Sequence, residues 1–149
     1  MAAVNTEVAA RLRLAIVRTA RRLRQEAYEA EDGADLSPTR TAALATISRH
    51  GPLTPSELAA RESIRRPTAT RIVASLEAAG LVQRTADPAD GRGSLVSTTG
   101  EGSALLKRLR SRKNAYIAKR LRGLAAEEVE TLDRAAEILE RMLEEGRTS

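Results

Sequence analysis

Residues 54–99, TPSELAARESIRRPTATRIVASLEAAGLVQRTADPADGRGSLVSTT, decide the fold. Thr54-Pro55-Ser56-Glu57 opens a helix with three agreeing signals. Thr54 can accept a bond from a free N–H, Pro55 suits the first helical position, and Glu57 stands where it closes a capping box. The spacing predicts a short helix through about Arg61. After a brief turn Pro67 again suits a first turn, and Ala69, Ile72, Val73 and Leu76 recur at helical spacing until Gly80 supplies the stop. Two helices so joined make a helix-turn-helix, the second helix being the longer.

Leu81–Thr85 and Ser94–Thr98 are short runs rich in apolar and β-branched residues. Between them Asp87-Pro88-Ala89-Asp90-Gly91-Arg92-Gly93 is dense in turn formers. Such clusters occur in any surface loop. Placed directly after a helix-turn-helix, this one predicts a β-hairpin wing.

Outward from this stretch, about Asn5 to Glu29 reads as one long helix. Val8, Leu12, Ala15 or Ile16, Thr19 and Leu23 follow a 3/4 spacing, with Arg11, Arg18, Arg21, Arg22 and Arg24 on other faces. Glu31–Asp35 interrupts it as a loop. Ser37-Pro38 restarts a helix that stops near His50-Gly51-Pro52, where His50 is read as a helix-end residue rather than a ligand. After the wing, Thr99 can cap a helix to about Gly123 with Leu105, Leu106, Leu109, Tyr116, Ile117, Leu121 and Leu124 on its apolar side and Lys107, Arg108, Arg110, Arg112 and Lys113 on a basic one. A last helix starts at Ala125, where Val129, Leu132, Ala136, Leu139 and Leu143 keep a 3-4-3-4 spacing suited to a coiled-coil-like contact. Packing against the preceding helix is the plain alternative. Gly146–Ser149 is expected to fray.

Composition narrows the function. The 149 residues include no Phe and no Trp, only Tyr28 and Tyr116, so Leu, Val, Ile and Ala must fill the core and a second copy would help to bury surface. With no Cys and a single His, disulfides, thiol redox sensing and a cysteine zinc site are excluded, and no cofactor or metal is expected. There is no Gly-rich phosphate loop, no Gly-x-Ser-x-Gly and no acid/His metal spacing, so an enzyme is not expected. No apolar run approaches ~18 residues and the N-terminus has no signal-peptide pattern, so the expectation is a cytoplasmic protein without a membrane partner, nucleoid-associated when bound to DNA. A net charge of +5, carried mostly by Arg, suits an anionic partner, although for the total by itself solvated helix faces are the first reading.

Arg66–Val73, Leu76–Val82, Arg84, Asp87-Pro88, Asp90-Gly91-Arg92 and Thr99-Gly100-Glu101-Gly102 together resemble the multiple-antibiotic-resistance regulator (MarR) family of winged-helix transcription factors. The chain departs from that pattern at Arg65, in place of a small or capping residue, at Ser63 for the usual turn Gly, at Glu62 for an apolar residue and at Thr98 for Leu. The resemblance implies a mainly α fold with a small β-hairpin wing, the winged helix-turn-helix (37–99) flanked by dimerisation parts (1–36 and 100–149) within a single structural domain. It also implies a homodimeric regulator of transcription, repression being the default, bound to an inverted-repeat operator in double-stranded DNA.

On this reading Arg66 and Arg71 supply base or phosphate contacts, Arg65 and Arg84 add charge, and Thr68 and Thr70 add hydroxyl contacts. Thr54 and Ser56 offer hydroxyls and free N–H groups to a phosphate. Arg92 at the wing tip reaches a minor groove, with Asp90 orienting it or a recognition-helix Arg through an ion pair. Val8, Leu12, Val129, Leu132, Leu139 and Leu143 form the dimer contact. Members of the family often respond to a small phenolic or anionic effector; Tyr28, His50 and Tyr116 are the side chains that could line its pocket, though plain packing or surface placement is the first reading of each. The competing reading is a winged helix used as a protein-interaction module, which would expose an apolar patch rather than clustered Arg.

Overall fold

The computed structural model describes residues 5–29 and 36–146. Its elements in chain order are α1 (Thr6–Glu29), α2 (Pro38–His50), α3 (Pro55–Glu62), α4 (Arg66–Ala78), β1 (Val82–Ala86), β2 (Ser94–Thr98), α5 (Gly100–Leu121) and α6 (Ala126–Glu145). The fold is mainly helical with one two-stranded antiparallel hairpin, a winged helix-turn-helix. The chain forms two compact units, residues 1–113 and 114–149. The expected loop at 31–35 and, of the end expected to fray, residues 147–149 lie outside the described residues.

The first unit holds the core. Ala43, Leu44 and Ile47 of α2, Leu58 of α3, Ala69, Val73 and Leu76 of α4, Val82, Val96, Leu105 and Leu109 bury together without an aromatic side chain. The apolar spacing predicted for α4 is therefore the buried one. The helix starts behave as their sequences dictate: the Ser37 hydroxyl accepts from Arg40 N at 3.3 Å, and Thr54 and Glu57 close a reciprocal capping box at 3.1 and 2.8 Å.

Three boundaries differ from the sequence reading. β1 starts at Val82 rather than Leu81, because Leu81 N bonds back to Leu76 O at 3.0 Å and closes the end of α4. The same strand runs one residue further, to Ala86 opposite Ser94. α5 ends at Leu121, short of Gly123, in a tight turn where Gly123 N donates to Arg120 O and Leu124 N to Leu121 O. A third hairpin neighbour was not foreseen: Leu53 exchanges both backbone bonds with Val96, at 3.1 and 2.8 Å, pinning the wing to the segment before α3.

The wing, α4 and α5 meet at one joint. Gly80 takes φ +74°, a left-handed conformation that a side chain would strain. The Thr99 hydroxyl donates to Gly80 O at 2.6 Å while its oxygen accepts from Gly102 N at 3.1 Å, so one side chain both caps α5 and holds the end of α4. Gly102 is required here by space: a Cβ would lie 2.1 Å from Leu81 O. The Thr-x-x-Gly of the sequence is thus a packing device.

Two helices leave apolar side chains uncovered. On α1, Val8 is 54% and Leu12 40% exposed, and Ala27 is its one buried residue among those described. In the second unit α6 buries none of its residues: Val129 and Leu139 are half-buried, while Leu132 and Leu143 are 49% and 72% exposed.

A candidate nucleic-acid interface on α4 and the wing

With Ala69, Ile72, Val73 and Leu76 buried, the opposite side of α4 exposes Arg66, Pro67, Thr70, Arg71 and Ala74. Thr68, expected with them, is half-buried on the flank. Thr70 is exposed, but its hydroxyl donates to Arg66 O at 3.0 Å, one turn back.

The start of α4 is built against its own stability. Arg65 occupies the N-cap without a side-chain bond, Arg66 follows at the first position, and the first turn holds no acidic residue. Two guanidinium groups therefore stand at the positive end of the helix dipole, where a carboxylate would be favoured. Among the described residues Arg65, Arg66, Arg71 and Arg92 are exposed and take part in no ion pair. Cations at a helix start that oppose the dipole and lack any internal partner, as Arg65 and Arg66 do, fit an external anion.

The departures from the family pattern differ in how they are accommodated. Ser63 adopts the left-handed conformation (φ 53°) where a glycine would sit more easily. Glu62, in place of an apolar residue, accepts a hydrogen bond from the Thr46 hydroxyl of α2. Thr98 has no such answer: its Oγ1 is buried without a partner.

The wing tip organises itself. Asp87 Oδ1 accepts from Ala89 N at 2.9 Å, Asp90 Oδ1 from Arg92 N at 3.1 Å, and Gly93 N donates to Asp90 O at 2.9 Å. Asp90 therefore orients Arg92 through the backbone, not through the ion pair expected from sequence: its Oδ1 and its backbone oxygen serve the turn, and Arg92 stays exposed. Arg84 differs from the other cations. Opposite Val96 in the hairpin, it shares the face that packs toward the core, and its Nε lies 3.4 Å from Glu77 Oε1 of α4, so it ties the wing to the helix.

At α3, the groups expected to be free are partly committed. The capping box uses the Thr54 N–H and the Glu57 N–H and places a carboxylate at the helix start, while Pro55 has no N–H to offer. Ser56 remains exposed.

A cleft of about 390 Å³ between α2 and α5 was not foreseen. Thr41, Ser48, Arg49, Leu109, Arg110 and Lys113 line it, with no carboxylate. Tyr28, His50 and Tyr116 are not among its lining residues: Tyr28 shares a 2.7 Å bond with Thr41, and the ring of Tyr116 carries the Arg120 guanidinium at 4.6 Å. Arg110 and Lys113 were legible as a basic face of α5, but nothing in the sequence pairs them with Arg49.

Comparison with known proteins agrees with this geometry. The MarR family matches residues 36–94. An uncharacterized HTH-type transcriptional regulator of Mycobacterium bovis is 35% identical over 142 residues, spanning 95% of this chain and 96% of that protein. The multiple antibiotic resistance protein MarR of Salmonella typhimurium is 32% identical over 100 residues, 66% of this chain and 69% of that one. The crystal structure of apo MarR from E. coli superposes with a TM-score of 0.67 at 26% identity, covering 86% of this chain and 96% of the other.

Proposed function

The chain belongs to the MarR family of DNA-binding transcriptional regulators, and from that premise we propose that it is a homodimeric repressor bound to an inverted-repeat operator. The observation that carries the reading is the set of exposed, unpaired guanidinium groups of Arg65 and Arg66 at the uncapped start of α4 and of Arg71 on its outer side. α4 enters the major groove N-terminus first, Arg71 pairs with a base edge, and Arg65 and Arg66 hold phosphates. Thr68 and Thr70 add short contacts, and Ser56 with the Thr54 hydroxyl meets the backbone beside them. Arg92 reaches the adjacent minor groove, steadied by Asp90, and Arg84 contributes by fixing the wing.

Dimerisation covers what the single chain leaves wholly or half exposed: Val8 and Leu12 on α1, and Val129, Leu132, Leu139 and Leu143 on α6. Residues 37–99 then serve DNA, and 1–36 and 100–149 serve assembly. Occupation of a promoter blocks transcription. A small anionic effector that releases the DNA would find its counter-charges in the cleft of Arg49, Arg110 and Lys113, more readily than at Tyr28, His50 or Tyr116. The protein works in the cytoplasm, on the nucleoid.

Selecting bound fragments from random duplex DNA tests the reading. Enrichment of one inverted repeat is the expected result. Recovery of no preferred site at low salt would overturn it in favour of a protein-interaction module.

A further inference from the structure

Three exposed positions on the outer row of α4, Pro67, Ala74 and Ala78, carry neither charge nor a hydrogen-bonding side chain, and of these Ala74 stands one turn beyond Arg71. At about 100° per residue, the side opposite the buried Ala69, Ile72, Val73 and Leu76 runs between Arg71 and Ala74, which flank its centre line. We infer that Ala74 determines specificity by contacting the 5-methyl group of a thymine beside the base that Arg71 meets, an inference that rests on the operator reading above.

The surroundings of Ala74 let a single methyl count. Its neighbours on that surface are short: Thr70, whose hydroxyl is turned back to Arg66 O, then Ser75 and Ala78. The long side chains beside it are Arg71 and Glu77. The one acidic residue of α4, Glu77, is occupied by Arg84 at 3.4 Å, so it does not compete for Arg71 or repel the duplex there. In the major groove thymine differs from cytosine by its methyl and by an acceptor in place of an amino donor. An alanine methyl matches the first and leaves the cytosine amino group without a partner.

The test uses the full chain and a selected operator in which each thymine is replaced in turn by deoxyuridine, which removes only the methyl. One thymine per half-site is expected to matter, its loss weakening binding about fourfold, the transfer worth of one methyl. In Ala74→Gly, checked for native circular dichroism and unchanged non-specific binding, that same position becomes indifferent to deoxyuridine. Ala74→Gln, which keeps helix propensity, is expected to move the preferred base away from thymine. A deoxyuridine effect that persists in Ala74→Gly, an unchanged preference in Ala74→Gln, or a wild-type chain indifferent at every thymine overturns the inference while leaving operator binding intact. Failure to select any operator would overturn both.

Discussion

Replacing Gly102 with Ala probes the joint that sets the wing against the recognition helix. The new Cβ would lie 2.1 Å from Leu81 O and 2.7 Å from Thr98 Cγ2, where ordinary contacts begin at 3.4 Å, so the gap must open by more than 1 Å. The nearest atom is backbone, and the same carbonyl accepts from Thr99 N at 3.1 Å, so no flexible side chain can give way. Overpacking of this kind costs up to ~3 kcal/mol, and the better helix propensity of Ala returns at most ~1 kcal/mol. The net loss is about 2 kcal/mol, a fall in Tm of roughly 4–8 °C for a chain of this size. Urea unfolding followed by circular dichroism at fixed protein concentration measures it, with Gly91→Ala as control, since a Cβ there meets nothing within 4 Å. Because Leu81 leads directly into β1, operator affinity should fall along with stability. A Gly102→Ala midpoint equal to or above that of the natural chain would refute the reasoning, because helix propensity alone would then account for the result.

Thr98→Val removes a buried hydroxyl that has no partner and should stabilise the chain by about 1 kcal/mol in the same unfolding assay; a loss would mean that the hydroxyl is satisfied. Arg92→Ala should weaken operator binding and lower the salt slope by about one charge, as measured by anisotropy across a salt series. Arg71→Ala should instead cost ~1–3 kcal/mol concentrated at one base pair of the site. The double change Leu132→Glu with Leu139→Glu places two charges on the apolar side of α6, and sedimentation equilibrium should show it as monomer at concentrations where the natural chain is dimeric.

The fold was legible where side chains act locally. The caps at Ser37 and Thr54, the stop at Gly80 and the spacing of Ala69, Ile72, Val73 and Leu76 each depend on neighbours within a turn or two, and each is found as read. What sequence could not give were contacts between distant segments: Leu53 with Val96, Glu77 with Arg84, and Arg49 with Arg110 and Lys113 around one cleft. Asp90 shows a subtler limit. Its spacing to Arg92 suits both an ion pair and an Asx turn, and the backbone N–H two residues on is the nearer donor. Thr54 was likewise read for two tasks at once, although closing the capping box uses the N–H groups that a phosphate would need.

Footprinting of the full chain on a selected operator, with the stoichiometry taken from the mass of the complex, tests the central claim most directly. Two chains per duplex should protect two major-groove segments centred about 10 bp apart on one face, with flanking minor-groove protection that disappears in Arg92→Ala. One chain per duplex, or protection that Arg66→Ala and Arg71→Ala leave unchanged, would contradict it.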